Sequence, residues 1–345
     1  MHSLLPRQQF TQRRNALMQW MGEDSIAILP AAPQHIRNRD ADYKYRQDSD
    51  FYYLSGFPEP EAVLCLIPNR PLGEVVLFCR EKDKEKEIWD GYRAGLEGAI
   101  EQYGADESYP IAKLDEIMPT LMEGKKKLYV NLGGQAEFDN KVIFWLNSIR
   151  AKARQGAKAP AELLMLNHLL HELRLYKSAE ELAIMRKAAT ISANAHIRAM
   201  QTAKAGMYEY ELEAELVYEF LRHGCSAPAY NTIVGSGANA CILHYIENRR
   251  QMQKGDLVLI DAGAELDNYA ADITRTFPVS GRFSGEQKAV YDIVLAAQLA
   301  AIEAVHPNNH WDKPHSVAVE VLTQGLLDLG LLEGSLAGNI EQGSY

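Results

Sequence analysis

The sequence lacks an apolar run long enough to cross a bilayer. One of its longest apolar stretches, Ile293–Ile302, is much shorter than the roughly 20 residues that span a membrane as a helix. Residues 1–25 carry basic side chains but no apolar core of about 7–15 residues, which a secretory signal needs. We therefore expect a protein without membrane segments that works in the cytoplasm.

Cysteine is also scarce, and no two cysteines form a CxxC pair. The absence of such pairs argues against a zinc ribbon and against a redox dithiol. Widely spaced cysteines in apolar surroundings are typical of buried, reduced thiols. The four are Cys65, Cys79, Cys225 and Cys241.

Positive charge is in deficit, since 36 basic residues stand against 46 acidic ones and the formal net charge is −10. Proteins that bind nucleic acid or anionic membranes present a basic face. We therefore expect neither partner, while the acidic surplus suits a site that collects cations.

Several motifs of common enzyme classes are missing. The sequence contains no Walker loop, no H-E-x-x-H, no G-x-S-x-G and no G-x-G-x-x-G in a supporting context. The glycine-rich turn Val234–Asn239 is not followed by the predicted helix that a phosphate cradle requires. These absences argue against nucleotide binding and against a serine nucleophile, so the acidic residues are the remaining candidates for a functional site.

The pattern of the first half predicts an α/β domain. Strands are predicted at Ser25–Ala32, Phe51–Phe57, Ala62–Ile67 and Glu74–Cys79, and helices alternate with them. Ser178 and Glu181 then fit a capping box that opens a long helix. We place the domain boundary there, with an N-terminal domain at 1–176 and a second domain at 177–345.

The second half predicts an α+β domain. Two helices are followed by three strand-like stretches, Asn231–Gly235, Ala240–Tyr245 and a hairpin that begins at Leu257, and then by further helices. A single sheet of this kind normally needs another layer against its open edge and apolar faces. The residues up to Tyr345 do not supply that layer, so we expect an incomplete domain.

The hairpin carries two carboxylates, Asp261 and Asp272. Equal strand lengths place the chain reversal between Leu266 and Asp267, so the two acids lie within about one register step of each other on one side of the ribbon. Directly opposed side chains have Cβ atoms ~4.5–5.5 Å apart. Because Leu257–Ile260 is predicted to be buried on both faces, Asp261 needs a partner charge or a cation.

Two interpretations of this acid pair remain open on the residues alone. Acids at this separation are often solvated hairpin residues, whereas a divalent cation would relieve their mutual repulsion. Two aspartates do not fill a metal site, which takes roughly four to six ligands. Oxygen ligands with some histidine suit manganese, magnesium, cobalt or zinc.

His244 is the next candidate residue. It ends the predicted strand Ala240–Tyr245, which should neighbour the hairpin. From there it could donate a hydrogen bond to a carbonyl oxygen or stabilise an oxyanion. A hydrogen-bonded strand histidine without a catalytic role is the alternative.

The segments Tyr230–Tyr245 and Gly255–Gly281 resemble the first half of the pita-bread metallopeptidase domain. The resemblance is to the bacterial Xaa-Pro aminopeptidase (aminopeptidase P) family, peptidase M24. "YRQDSDFYYLSGFPEPEAVL" and "EIWDGYRAG" in the first half resemble its creatinase-like N-terminal domain, and "HELRLYKSAEELAIMRKA" resembles the junction. The fold implied is therefore an α/β N-terminal creatinase-like domain plus the first half of an α+β pita-bread catalytic domain.

The resemblance also implies an activity and a set of roles. Asp261 and Asp272 correspond to the first ligands of a site for two Mn²⁺ ions, with Zn²⁺ or Co²⁺ as other possible metals. His244 matches a histidine that assists at the scissile peptide, and Tyr230 matches a tyrosine near the metals. The reaction implied is hydrolysis of peptides that carry proline at the second position, in a homo-oligomer (dimer or tetramer). Trp89, Arg154 and Asp40 fall in segments that shape the peptide pocket from a neighbouring subunit.

The chain departs from the family pattern in one respect. The family's histidine ligand and its two glutamate ligands belong to the second half of the domain, and nothing in Gly281–Tyr345 matches them. We therefore expect the chain alone to bind metal weakly and to be inactive. Two alternatives are a prolidase-type dipeptidase with the same ligands and a non-catalytic pita-bread module that binds peptides or proteins.

Overall fold

The computed structural model describes residues 3–345 of the chain. The chain forms two compact units. The N-terminal unit comprises Met1–Ala188 together with the short segment Glu265–Ala270. The C-terminal unit comprises Ala189–Ala264 and Ala271–Tyr345. Glu265–Ala270, which we call the hairpin tip, thus belongs to the N-terminal unit although it comes late in the sequence.

The secondary structure contains both helices and short strands. The helices are α1 (Arg7–Met21), α2 (Ser49–Ser55), α3 (Lys84–Asp90), α4 (Gly95–Glu101), α5 (Leu114–Met122), α6 (Ala136–Ala151), α7 (Asn167–Leu175), α8 (Ala179–Thr202), α9 (Glu209–Arg222), α10 (Gly285–Glu303), α11 (Lys313–Asp328) and α12 (Leu336–Gln342). The strands are β1 (Ser25–Pro30), β2 (Ile36–Asn38), β3 (Ala41–Asp42), β4 (Val63–Leu66), β5 (Val75–Cys79), β6 (Glu107–Pro110), β7 (Lys127–Val130), β8 (Glu162–Leu164), β9 (Ala227–Pro228), β10 (Ile233–Ser236), β11 (Leu257–Ala262), β12 (Ala264–Leu266), β13 (Tyr269–Ala270) and β14 (Ile273–Pro278). Among residues 3–345, no helix combines the length and the apolar character that crossing a membrane requires.

The N-terminal unit is built on one mixed sheet with helices on both faces. Its strand order is β6-β5-β4-β1-β7-β8, with parallel pairs at β5–β6, β1–β7 and β7–β8. Successive side chains of a strand point to opposite faces, so β1 serves two cores. Ile26 and Ile28 pack towards α5 and α6, whereas Ala27 and Leu29 pack towards α1, α2 and α7.

The aromatic segment Phe51–Phe57 is helical, so the strand predicted there is wrong. The Asp48 side chain accepts hydrogen bonds from the backbone N–H groups of the first turn of α2. Gly56 then ends the helix at φ 63°, a left-handed conformation that glycine adopts without a steric penalty. These two caps favour the helix because they satisfy backbone N–H and C=O groups at its ends, and this outweighs the preference of the aromatic residues for a strand.

The hairpin tip is held by Asp267. Its carboxylate accepts hydrogen bonds from the Ser3 hydroxyl at 3.0 Å, the Leu4 backbone N–H at 2.9 Å and the Tyr52 hydroxyl at 2.6 Å. Three donors satisfy most of the acceptor capacity of this side chain. The hairpin tip is therefore hydrogen-bonded to Ser3 and Leu4 and to α2.

A second attachment of the hairpin tip is a buried ionic cluster. The Tyr269 hydroxyl donates to Glu181 at 2.7 Å, and Glu181 pairs with Arg13 at 3.2 Å. Both charged side chains are buried. Such a pair is stable in the interior when further hydrogen bonds satisfy the remaining atoms, and here Tyr269 and the Tyr53 carbonyl do so.

The C-terminal unit contains a smaller sheet, β10-β11-β14, whose neighbouring strands are antiparallel. The helix α9 packs on β10, and α10 packs along α11. Gly325 of α11 lies against Ile293 of α10, and a Cβ atom at position 325 would come within 2.4 Å of that side chain. This contact lets the two helices approach closely.

Candidate metal centre

Asp261 lies near the end of β11, the central strand of the smaller sheet. Val258 and Ile260 are buried, whereas Leu259 and Asp261 on the other face are half-buried. The prediction that Leu257–Ile260 is buried on both faces is wrong, because one face of the strand is covered and the other is partly open. The carboxylate therefore sits on the less desolvated face.

The hairpin that joins Asp261 to Asp272 reverses at Asp267 and Asn268. These residues have φ values of 51° and 65°, and Leu266 pairs with Tyr269 across the turn. A two-residue turn with positive φ at both positions matches the twist of antiparallel strands, and Asp and Asn tolerate it. The predicted reversal, between Leu266 and Asp267, is one residue too early.

The corrected register still leaves the two acids as neighbours. Asp261 is opposite Thr274, and Asp272 precedes Thr274 by two residues. Side chains two residues apart along an extended chain share a face, so the two carboxylates are diagonal neighbours and not a directly opposed pair. Asp261 is half-buried and Asp272 is exposed.

Gly263 permits a close approach between the backbone that follows Asp261 and the backbone that precedes Asp272. A Cβ atom at this position would lie 1.7 Å from the Ala271 carbonyl oxygen and 3.2 Å from the Asp272 backbone nitrogen. Those atoms belong to the backbone and cannot move aside like a flexible side chain. The position of Asp272 therefore depends on the absence of a side chain at residue 263.

The Tyr230 hydroxyl connects the two carboxylates. It donates to Asp261 Oδ1 at 2.5 Å and lies 3.1 Å from Asp272 Oδ1. Burial of the phenol and the negative charge of both carboxylates raise the pKa of Tyr230 above its ordinary value. The predicted residues Asp261, Asp272 and Tyr230 therefore come together in the structure.

The donor set is suitable in type for a divalent metal but incomplete in number. Carboxylate oxygens are ligands that hard divalent cations prefer. Two aspartates supply fewer groups than a closed site needs, and residues 3–345 contain no cluster of three or more His, Cys, Asp or Glu side chains arranged to hold a metal. Asp261 and Asp272 therefore fit as part of a metal site.

His244 lies in an exposed turn and not in a strand. The predicted strand Ala240–Tyr245 is wrong, because residues 237–241 form a single turn of 3-10 helix that Gly237 begins at φ 56°. Tyr245 and Asn248, just beyond His244, are buried and hydrogen-bonded to α9. Side-chain contacts thus replace the ladder of a sheet in this segment.

Trp89, Arg154 and Asp40 are all exposed on the N-terminal unit. Trp89 is in α3 and is 88% exposed, Arg154 is in a short 3-10 turn after α6, and Asp40 is in the turn between β2 and β3. Within the described residues, none of these three side chains forms a hydrogen bond or ion pair with any of the other two.

Glu209 is a residue that the sequence reasoning missed. It is the first residue of α9 and is fully buried, with a set of hydrogen bonds to the segment that carries His244. The sequence shows only an acid at a helix start, where the helix dipole favours negative charge. Nothing local indicates that a loop some 30 residues later covers it, so no sequence signal was available.

Two family models match the chain, the N-terminal domain of aminopeptidase P at residues 10–129 and metallopeptidase family M24 at residues 183–340. The Xaa-Pro aminopeptidase of Escherichia coli (strain K12) is 43% identical over 344 residues, which covers 99% of this chain and 78% of that protein. The chain belongs to the Xaa-Pro aminopeptidase family. The Xaa-Pro aminopeptidase of Haemophilus influenzae is 40% identical and covers 99% of this chain and 77% of its own length.

Solved structures of this family agree over the whole chain. Aminopeptidase PepP of Pseudomonas aeruginosa superposes with a TM-score of 0.98 at 56% identity, covering 100% of this chain and 78% of that one. Zinc-substituted E. coli aminopeptidase P in complex with product gives 0.96 at 43% identity, with 99% and 78% covered. The predicted fold, a creatinase-like N-terminal domain and a pita-bread domain, is confirmed, as is the predicted relation to Xaa-Pro aminopeptidases. M24 is a metallopeptidase family, which makes divalent-metal dependence part of the assignment.

Proposed function

We propose that Asp261 and Asp272 are two ligands of a two-metal site that hydrolyses the bond between an N-terminal residue and a following proline. The observation that carries this proposal is the convergence of both carboxylates on one hydroxyl, that of Tyr230. Two negative charges held this close repel each other unless a proton or a cation lies between them. A pair of divalent ions meets that requirement and matches the M24 family assignment.

We propose manganese as the natural metal, with zinc and cobalt as alternatives. Carboxylates on a partly open face are hard oxygen ligands, which suit Mn²⁺. When bound, two such ions would supply Lewis acidity for the peptide carbonyl and lower the pKa of bound water towards ~7.

The residues of this chain have distinct parts in the proposed site. Tyr230 donates a hydrogen bond that orients the Asp261 carboxylate and reduces the repulsion from Asp272. His244, exposed in its turn, donates a hydrogen bond to the carbonyl oxygen of the peptide that is cleaved.

The exposed residues of the N-terminal unit are proposed to shape the peptide pocket of a neighbouring subunit. Ile88 and Tyr92, close to Trp89 in the sequence, are also exposed. Several exposed apolar side chains in one segment are typical of an interaction surface. Together with Arg154 and Asp40, these side chains support a homo-oligomer, dimer or tetramer, which sedimentation analysis would measure. The cytoplasmic location and the domain boundary near residue 177 stay predictions.

We further propose that these 345 residues by themselves bind Mn²⁺ weakly and do not hydrolyse Xaa-Pro peptides. The described residues bring two metal-binding carboxylates together and no third candidate ligand. Activity would then require ligands beyond those that these residues provide.

The test is an Mn²⁺ titration of the purified 345-residue chain, in which free Mn²⁺ is measured from its electron paramagnetic resonance signal. We expect weak binding that is lost in both Asp261→Asn and Asp272→Asn, and retained in Asp292→Asn, which alters an exposed acid on α10. We expect no release of the N-terminal residue from a Xaa-Pro peptide. Tight stoichiometric Mn²⁺ binding together with proline-dependent hydrolysis would overturn the proposed inactivity, and binding that survives both aspartate substitutions would overturn the site.

Two alternatives make different predictions. A prolidase-type dipeptidase would use the same ligands, and an active form would cleave Xaa-Pro dipeptides in preference to longer peptides. A non-catalytic peptide-binding module is favoured by the absence of a third metal-ligating side chain near the described acids. Such a module would bind Xaa-Pro peptides equally well after Asp261→Asn, whereas the metal site predicts that Mn²⁺ improves binding.

A further inference from the structure

Glu209 has an unusually complete set of hydrogen bonds for a buried carboxylate. The side chain is 0% exposed at the start of α9. A carboxylate in such a place is costly unless donors satisfy both oxygens. Oε1 accepts from Ser236 N at 2.7 Å, Ser236 Oγ at 2.7 Å and Asn239 Nδ2 at 3.4 Å, and Oε2 accepts from the Tyr245 hydroxyl at 2.8 Å and Arg250 N at 2.9 Å.

All five donors belong to one segment, residues 236–250, which we call the His244 loop. After its short 3-10 turn at Gly237–Cys241, this loop contains no helix and no strand up to residue 250. Its backbone conformation is therefore not fixed by a regular hydrogen-bond ladder. The contacts with α9 take over that task.

A second contact with α9 lies near the end of the loop. Asn248 is fully buried at φ 51° and donates from Nδ2 to Glu213 Oε2 at 2.8 Å and to the Thr232 carbonyl at 2.9 Å. Its Oδ1 accepts from Val234 N at 2.9 Å. Glu209 and Glu213 are four residues apart and share one face of the helix. Thus α9 holds the loop at two points one helical turn apart.

Hydrophobic burial does not hold the middle of the loop. Within residues 242–247, Tyr245 is the one buried side chain, and Leu243 next to His244 is 89% exposed. The position of His244 is therefore set through its neighbour Tyr245, whose hydroxyl reaches Glu209. A loop with few apolar contacts is otherwise expected to move on the nanosecond to microsecond timescale.

We propose that Glu209 is a positioning residue, which fixes the His244 loop through Tyr245 and its other donors and so holds His244 in place for the substrate. The proposal rests on the proposed function only in assigning His244 to the substrate. The fixing of the loop itself does not depend on that assignment.

The chain offers a natural probe for this motion. Cys241 lies in the loop and is exposed, whereas Cys65, Cys79 and Cys225 are buried. A nitroxide attached to Cys241 of the full chain therefore reports on the loop without any added cysteine. In Glu209→Gln the new amide would direct N–H groups at donors, so we expect the rotational correlation time of the label to shorten severalfold. Because glutamine keeps one acceptor oxygen, amide exchange should accelerate at Ser236 or at Arg250, whichever N–H group faces the new NH2 group.

The control is Glu215→Gln on the same helix. Glu215 pairs with Arg198 at 2.5 Å and, among residues 3–345, forms no hydrogen bond or ion pair with the His244 loop, so the label should move as in the unsubstituted chain. Tyr245→Phe removes a single donor to Glu209 and should give the label an intermediate mobility. If Glu209→Gln does not fold, Tyr245→Phe still tests whether Glu209 fixes the loop. A merely structural role would lower thermal stability while leaving the label of the folded protein unchanged, and that result would overturn the proposal.

The Mn²⁺ titration on the same variants separates this inference from the metal site. Neither Glu209→Gln nor Tyr245→Phe alters Asp261 or Asp272, so we expect Mn²⁺ binding equal to that of the unsubstituted chain. If the unsubstituted chain binds no Mn²⁺, the proposed function fails while the label measurement still decides the role of Glu209. Amide exchange that accelerates throughout the C-terminal unit, and is not confined to the His244 loop, would also contradict the proposal.

Discussion

The two sheets of this protein differ in how their faces are covered. In the N-terminal unit, β1 sends side chains into one core on each side, and strands β4 and β5 of the same sheet are buried throughout. In the C-terminal unit, β11 alternates between buried and half-buried residues. A strand covered on both faces has little room for a charge, since burial of an unpaired carboxylate costs several kcal/mol. The half-open face of β11 is where Asp261 can be carried without a full desolvation penalty.

The largest expected effect is in the core between α6 and the N-terminal sheet. Trp145 is 0% exposed, packs edge-on against Phe138 and donates from its indole N–H to Asp115 at 2.8 Å. Trp145→Ala should lower the free energy of unfolding by about 3–5 kcal/mol, because it removes a large buried ring and leaves a cavity. Urea unfolding followed by circular dichroism measures this. Trp20→Ala, at a tryptophan that is 49% exposed, should cost far less, and equal costs would contradict the comparison.

The two faces of β11 offer a sharper test within one strand. Ile260 is buried and Leu259 is half-buried. Ile260→Ala should cost about 2–5 kcal/mol by loss of packing. Leu259→Ala should cost about 1 kcal/mol, because its side chain already contacts solvent. If the same denaturation experiment gave a larger cost for Leu259→Ala, the open face would have to be covered in solution.

Gly263→Ala tests the close crossing between the acids. The added methyl group would meet the Ala271 carbonyl, so the backbone must shift, at a cost of about 1–3 kcal/mol. We also expect Mn²⁺ binding to weaken, since Asp272 follows Ala271. Gly285→Ala is the control, because a Cβ atom there meets nothing within 4 Å. Unchanged Mn²⁺ binding in Gly263→Ala would show that the crossing does not position Asp272.

The smallest expected effect concerns pH and Asp256 at the start of β11. Partial burial pushes the pKa of Asp256 up, but hydrogen bonds from Arg250 and from the Gln253 N–H outweigh it, and the net pKa is lowered. A lowered pKa stabilises the fold above the unfolded value of about 3.9, and the gain is lost as the pH falls through the folded pKa. Asp256→Asn should therefore cost about 0–1 kcal/mol at pH 7, and this difference should shrink below pH ~4.

The matched residue in the N-terminal unit is Asp115, in the first turn of α5. Burial raises the pKa of Asp115, but hydrogen bonds from Lys141 and Trp145 lower it by more, so the net pKa is lowered as it is for Asp256. Asp115→Asn should show the same loss of effect in acid. A difference that persists in either variant at a pH where the folded-state carboxyl group is protonated would show that the hydrogen-bonding geometry, and not the charge, carries the stabilisation.

The sequence predicted those elements whose signals are local. The Ser178–Glu181 capping box forms as predicted, with α8 beginning at Ala179. The hairpin was predicted because its acids flank turn-forming residues, and its register was wrong by one residue because positive φ at Asp267 and Asn268 cannot be deduced from strand lengths. The burial of Leu257–Ile260 was overestimated because apolar composition does not tell which layer covers a face.

Features that depend on contacts between residues far apart in the chain could not be predicted from the sequence. The conformation around His244 is set by Glu209, 35 residues earlier in the chain, and no periodicity encodes that pairing. The helix at Ser49–Ser55 was not predicted for a different reason: its Asp48 and Gly56 caps are local signals in the sequence, but the aromatic residues between them favour a strand. The identity of the metal could not be predicted from two carboxylates, which serve several divalent ions equally.

The hairpin tip has a consequence for any attempt to divide the protein. Because Glu265–Ala270 completes the N-terminal unit, no single cut in the chain separates the two units. A polypeptide ending at Ala188 would lose the acceptor of the Tyr52 hydroxyl and the phenol that reaches Glu181. Independent expression of the N-terminal unit therefore calls for these six residues as well, either added in trans as a peptide or fused through a linker after Ala188.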